Sequence, residues 1–554
     1  MDSETTAAIP EDVQNQQSHW IRWVIAAIVA GIFGLYALKT TAEFSLTGRP
    51  VFDMVALLAA GNFLWYLFVR TFPGWSKKRQ FGLIASAIIV QCILFATLRM
   101  DGLYGNGRPK FTNRWISKSA DRFFASANNR SFEFDAESNP LWGEFRGKGR
   151  TGSFESVEIG NLNEQPPVQT WAVPVGSAWS SFAIADTVCL TQEQRGEFES
   201  VVCYELATGK QLWVHEDSVR FTEPTSGEGP RATPTIDRDL VFTLGASGIL
   251  NCLEIATGKK IWSRDVLKEN NIENRNFGMT GSPLVHNDLV IIAPGSNDTE
   301  EGTALIGYRR SDGQPIWSSG NETTSYSSPQ FATVCGVPAV LCLNGDGLSG
   351  HRLSDGQAMF HVHWTSNAAE KNNVCQPLVF NDQQEQKTRI FISSGYGRGA
   401  AVFEVSPQVS EYQVETVWKN KFLKSKFSSA VTKDQFVYGL DNGILTCLSL
   451  EDGSRMWKQG RYGHGQLIRI GSHLIVLAEK GFLAQVDCDP TRFNETARLD
   501  ALQDRTWNHP SFDGKYLLVR NDQEAICFEL PITATATAST IGAQDNNRPD
   551  RLNE

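Results

Sequence analysis

Arg231, Gln376, His464, Asn508 and His509 are the side chains of this sequence best placed to do chemistry, because each stands at the head of a short apolar run. Together they offer a guanidinium, two amides and two imidazoles, a set suited to binding polar or anionic groups and lacking a nucleophile. His361-Val-His363 would put two imidazoles on one face of a strand, a spacing able to hold a metal. No third ligand accompanies them, so no metal site is expected. No Ser–His–Asp set, P-loop, dinucleotide fingerprint or zinc-hydrolase helix motif is present, and no catalytic residue is assigned. The ten cysteines include no Cys-x-x-Cys pair, which argues against covalent c-type haem and metal knuckles.

Whether those five residues meet depends on the strands they begin. The heads read Trp179-Ser-Ser-Phe, Arg231-Ala-Thr-Pro, Thr280-Gly-Ser-Pro, Tyr326-Ser-Ser-Pro, Val374-Cys-Gln-Pro, Phe427-Ser-Ser-Ala, Gly463-His-Gly-Gln and Trp507-Asn-His-Pro, about 47 residues apart. Proline suits the first residue of a strand, which needs no ladder N–H. Behind each head, apolar runs and tight turns read as antiparallel strands. A second phrase recurs downstream: Cys203-Tyr-Glu-Leu-Ala-Thr-Gly209-Lys-Gln-Leu-Trp213 and Cys252-Leu-Glu-Ile-Ala-Thr-Gly258-Lys-Lys-Ile-Trp262, with weaker copies ending at Trp317, Phe360 and Trp457. Each is a hairpin by its turn chemistry. A recurring unit that cannot bury its own face must stack on its neighbours.

The expectation is an all-β eight-bladed propeller over residues 165–531. Its inner strands would bring Arg231, Gln376, His464, Asn508 and His509 toward the central channel. The closing aromatics Trp171, Trp213, Trp262, Trp317, Phe360, Trp418 and Trp457 would wedge into neighbouring blades as core. The last blade is one strand short in sequence order, and the segment around Trp171 is expected to complete it, leaving no open edge. Cys203, Cys252 and Cys447 share one place in their repeats and read as small apolar core residues.

The Ala-Thr-Gly-Lys-x-x-Trp phrase resembles the tryptophan-docking repeat of quinoprotein propellers, the PQQ-like repeat family. Trp142-Gly-Glu-Phe-Arg-Gly-Lys-Gly-Arg-Thr-Gly152 resembles the lead-in found before many such propellers. The likeness covers residues 140–531 and implies the fold. For catalytic relatives it implies pyrroloquinoline quinone (PQQ), calcium held by inner-strand carboxylates and, in the alcohol dehydrogenases, a vicinal Cys-Cys. None of the eight heads contains an acid, and no vicinal pair exists. No cofactor is therefore expected, and the implied role resembles that of the propeller subunit of the outer-membrane barrel-assembly machinery: a protein partner on the propeller face. The rival is a PQQ- and calcium-dependent dehydrogenase passing electrons to membrane quinone.

The first 100 residues differ in kind. Trp20–Leu38, Val51–Val69 and Phe81–Leu98 are apolar runs of about 18 to 19 residues, enough to cross a bilayer. Arg70, Lys77, Lys78 and Arg79 mark the loop between the second and third runs as cytoplasmic. Three transmembrane α-helices over residues 20–98 would contact lipid and leave the propeller on the periplasmic side of a bacterial inner membrane. Residues 1–19 read as a tail, 99–164 as a tether or cap, and 532–554 as a disordered tail. A net charge of −10 argues against a nucleic-acid partner.

Overall fold

The computed structural model describes residues 75–122, 129–135, 140–296, 302–368, 371–382, 386–409 and 411–535, besides 61–63, 65, 66 and 137. The chain forms two compact units, Met1–Ser117 with Pro224–Ser226, and Lys118–Glu223 with Gly227–Glu554. The expected spans at Trp20–Leu38 and Val51–Val69 lie outside the described residues, apart from a few positions of the second. The described part of the first unit holds a helix, Lys77–Ala96, and an antiparallel hairpin, Leu98–Leu103 with Pro109–Asn113. Phe81, Ile88, Ile89 and Ile93 of that helix are exposed. Among the described residues no helix is long and apolar enough to cross a membrane.

The second unit is the eight-bladed propeller. Seven blades have four strands, and the seventh in order has a fifth. Inner strands begin at Ala183, Thr235, Leu284, Gln330, Leu378, Val431, Gln466 and Ser511, at or one residue after the heads read from sequence. The eighth blade comprises Ser511–Phe512, Tyr516–Arg520, Glu524–Glu529 and, last, Val168–Pro174 from the front of the propeller. This early strand pairs the edge that Glu524–Glu529 would otherwise leave open and gives the last blade its docking Trp171.

One register rule runs round the ring. In seven of the eight blades the third strand sets a Cys, Gly or Val opposite the closing aromatic: Cys203 faces Trp213, Cys252 faces Trp262, Gly307 faces Trp317, Gly350 faces Phe360, Val402 faces Trp418, Cys447 faces Trp457 and Cys527 faces Trp171. A bulge follows every such pair, turning the ring toward the next blade. Indole N–H groups then donate across the junction: Trp171 to Leu206 O (2.7 Å), Trp213 to Ile255 O (2.8 Å), Trp262 to Arg310 O (2.9 Å), Trp418 to Leu450 O (2.8 Å) and Trp457 to Asp489 O (2.8 Å). The Gly-Lys turn exists for this approach. A Cβ on Gly258 would lie 2.4 Å from the Trp213 ring. Phe360 packs with Ile390 and Phe403 of the next blade, and Trp317 packs on Gly356 without an acceptor for its N–H among the described residues. In the seventh blade Ala497 takes the aromatic's place opposite Gln485. Ile159 and Leu162 join the core there, and Gln485 bonds the backbone of both Gly160 and Leu162.

Two boundaries differ from the sequence reading. Residues 142–162 belong to the propeller rather than to a tether, because Ser153–Phe154 pairs with Gln466–Ile470. The tail expected from 532 begins with a strand, Ile532–Thr535, paired to Val157–Ile159. Ser153–Phe154 is too short to show an alternating pattern, and Ile532-Thr-Ala-Thr alternates inside a Thr-Ala run whose biased composition reads as a tail.

Candidate functional site

The eight strand heads form three levels along the axis. At the third residue of the first six heads runs a belt of hydrogen bonds from blade to blade, which the fourth residue of the seventh head and the second of the eighth continue. Ser181 N donates to Thr233 Oγ1 (3.1 Å), Thr233 N to Ser282 Oγ (2.9 Å), Ser282 N to Ser328 Oγ (2.9 Å), Ser328 N to Gln376 Oε1 (2.8 Å) and Gln376 N to Ser429 Oγ (3.0 Å). Gln466 continues it by donating to Phe427 O and Trp507 O, and Asn508 closes it by donating to Ser180 O (2.7 Å) and Ala178 O (3.1 Å). The recurring hydroxyl therefore satisfies a buried backbone N–H that no strand partner reaches.

One level further along the strands, the lead-in stoppers the axis. Trp142 and Gly143 accept from Ile184 N and Ile236 N on the first two inner strands. Arg150, fully buried, donates to Ser282 O (3.0 Å), Pro283 O (2.6 Å) and Pro329 O (2.7 Å), and pairs with Glu144 at 3.0 Å. Arg146 donates to Ala430 O (2.7 Å) and Thr151 O (3.1 Å), and its Nη1 lies 3.4 Å from Leu467 O and from His509 Nδ1. Both arginines hold left-handed backbone (φ 63° and 60°), each beside a glycine that does the same, Gly147 and Gly149. The tight coil brings Gly152 so near that a Cβ there would meet the Arg146 Nη2 at 2.2 Å. Burial lowers the Arg146 guanidinium to about 10, still protonated at neutral pH.

At the opposite end, the first residues of the heads make an aromatic mouth. Trp179 and Trp507 centroids are 4.9 Å apart, Phe427 lies 5.1 Å from Trp507, and Arg505 caps both indoles at 4.9 and 4.7 Å. Lys426 stands 5.0 Å from the Phe427 ring, and burial lowers its pKa. Trp507 Nε1 donates to Glu479 at 3.0 Å. Phe221 and Phe277, on the stretches of chain ahead of the second and third heads, reach the same rim, with Arg231 over Phe221 (4.7 Å) and Phe277 against Tyr326 (5.4 Å). Aromatic faces interleaved with cations can bind flat, polar or anionic groups.

The residues singled out from sequence are therefore dispersed over the three levels. Arg231 is at the mouth, donating to Phe277 O (3.1 Å) and Gly227 O (2.9 Å), and burial lowers it to about 10. His464 is there too, against Phe427 and 3.7 Å from Glu479. Gln376 and Asn508 are members of the belt. His509 faces the stopper, edge-on to Phe145 at 4.9 Å, and burial together with Arg146 pushes its pKa well below 6.5. His464 and His509 thus engage different partners. His361 and His363 lie exposed on the fourth blade's outer strand. Cys203, Cys252, Cys447 and Cys527 are buried thiols, raised by desolvation. Sequence reasoning missed Trp179, Phe427 and Trp507, whose signal was a shared first position in the head. It also missed Arg146 and Arg150, flagged only by alternating glycines.

This architecture is an eight-bladed β-propeller whose repeats resemble PQQ-like repeats. The family described as outer membrane protein assembly factor BamB matches residues 197–459, from the first blade to the sixth. Similar solved structures include BamB from Moraxella catarrhalis, at 13% identity over 66% of this chain and 99% of that one (TM-score 0.48). A quinohemoprotein alcohol dehydrogenase from Pseudomonas putida HK5 aligns at 11% identity over 75% of this chain and 83% of that one (TM-score 0.39). No curated protein matches the chain.

Proposed function

We propose that this protein is a membrane-anchored propeller on the periplasmic side of a bacterial inner membrane, acting as a binding and scaffolding module without a redox cofactor of its own. The stoppered axis carries this reading. Two buried guanidiniums, bonded to inner-strand carbonyls, occupy the end of the channel beyond the belt, and the aromatic mouth is the face left for a partner. The family match, described as an outer membrane protein assembly factor, supports an assembly role. The apolar runs before residue 70 and the exposed Phe81, Ile88, Ile89 and Ile93 support anchoring in lipid.

The dehydrogenase reading requires calcium and PQQ. Calcium takes six to eight oxygen ligands, carboxylates among them. The head hydroxyls already accept backbone N–H groups, and the axis beside them carries positive charge. The buried carboxylates have their own partners: Glu193 holds Arg195, Tyr204 and Gly176; Glu199 holds Ala246 and Ser247; Glu228 holds Lys118 and Arg220; Asp441 holds Lys424 and Lys458; Glu479 holds Trp507 Nε1 and His464 N. The residues present do not fit that cation. Cross-linking of native membranes with mass spectrometry tests the proposal. Links from the propeller to one recurrent protein are expected. A chain linked only to itself, together with dye reduction dependent on added PQQ and calcium, would overturn it.

A further inference from the structure

The chain carries its own example of how its outer rim holds a peptide. Residues 129–135 lie along the first blade's outer strand, Gln211–Asp217. Arg130 N donates to Leu212 O (2.9 Å), the side-chain amide of Asn129 donates to Val214 O and accepts from Val214 N (3.1 Å each), and Phe132 N crosses to Ala256 O on the second blade (3.3 Å). The segment is extended and two-faced. Phe132 and Phe134 are half-buried against Leu212, while Ser131, Glu133 and Asp135 point outward. An outer strand has one unpaired edge, and an added strand can use it.

Leu212 immediately precedes the docking Trp213. In the next two blades that position holds Ile261 and Ile316, which are 49% and 45% exposed, with no described segment over them. The same edge and the same apolar residue beside a docked tryptophan are present there. Lys259 and Lys260 are exposed close by in sequence, as is Arg309, which pairs with Asp312 at 2.9 Å, and the seated segment bears Glu133 and Asp135. At the fifth blade the equivalent Val417 lies beside Glu415 on one strand, which disfavours an acidic segment.

We infer that the junctions of blades two with three and three with four are docking seats for an extended segment of a protein partner in which aromatic residues alternate with acidic ones. The inference rests on the binding reading and adds the partner's chemistry. Main-chain and side-chain amide bonds to the edge strand, of the kind Arg130 and Asn129 make, supply affinity, and the Ile261 and Ile316 side chains select alternate aromatic residues.

The test uses full-length protein in detergent and a fluorescein-labelled peptide with the sequence of residues 129–137, followed by anisotropy. Saturable binding is expected, weakened about tenfold or more by Ile261→Asp with Ile316→Asp, and by serine at both peptide phenylalanines. Leu212→Ser should leave it unchanged. Both isoleucines are exposed, so the double variant should keep the wild-type melting midpoint. No saturation below about 1 mM, or binding lost with Leu212→Ser but kept by the double variant, overturns the seats. The second result would mean that the peptide only replaces the chain's own segment. A partner cross-linked at the mouth would survive either failure, which separates this inference from the wider binding reading.

Discussion

Replacing Arg150 by methionine keeps the aliphatic stem of the stopper and removes its guanidinium. Three buried carbonyls, of Ser282, Pro283 and Pro329, lose their donor, and Glu144 loses its ion pair. Hydrogen bonds to a charged group contribute about 1.5–3 kcal/mol each, but the variant no longer desolvates a cation, which offsets part of the loss. A net destabilisation of about 2–4 kcal/mol follows. For roughly 390 ordered residues the unfolding entropy is about 0.8 kcal/mol/K, so the midpoint should fall by about 3–5 °C in tryptophan-fluorescence melts. Arg150→Lys should recover part of this, since one ammonium cannot reach all three carbonyls in the fork geometry. A shift under about 1 °C for the methionine variant would refute the idea that the stopper holds the ring end together.

The junction indoles should differ in weight: Trp213→Ala opens a fully buried cavity and loses a bond to Ile255, costing about 3–5 kcal/mol, whereas Trp317→Ala, lacking that bond, should cost measurably less in the same urea titration. Gly258→Ala combines a left-handed φ of 73° with a Cβ 2.4 Å from Trp213 and should cost about 2–4 kcal/mol; Gly196→Ala, at φ 55° with open space around it, should cost about 1 kcal/mol. His509 is held neutral in the folded state, so its contribution is present above the unfolded pKa near 6.5 and is lost as pH falls. The unfolding free energy from urea titrations should therefore drop below pH 6.5 by up to about 1.4 kcal/mol per pH unit from this residue, and His509→Gln should flatten that slope; an unchanged slope would show that His509 does not titrate between the two states.

The ring was legible because its cause is local and repeated. Each Gly-Lys turn and following aromatic is one docking event, and each head with proline and hydroxyl is one strand start, so spacing alone counts the blades. Even the completing strand at Trp171 could be read, from one sheet being a strand short. The site was less legible because it is assembled across blades. Nothing in Val374-Cys-Gln-Pro says that Gln376 joins a hydrogen-bonded belt with Ser328 and Ser429. Arg146 and Arg150 acquire their role from carbonyls more than 130 residues away in the chain. Ser153–Phe154 and Ile532–Thr535 are strands only because another part of the propeller offers them an edge.

A crystal or cryo-EM structure of the full chain prepared with excess PQQ and calcium tests the stoppered axis most directly. The expected result keeps Arg146 on the Ala430 carbonyl and Arg150 on those of Pro283 and Pro329, with no quinone between the inner strands. A quinone and a cation on the axis, with the two arginines displaced and carboxylates turned inward, would contradict it.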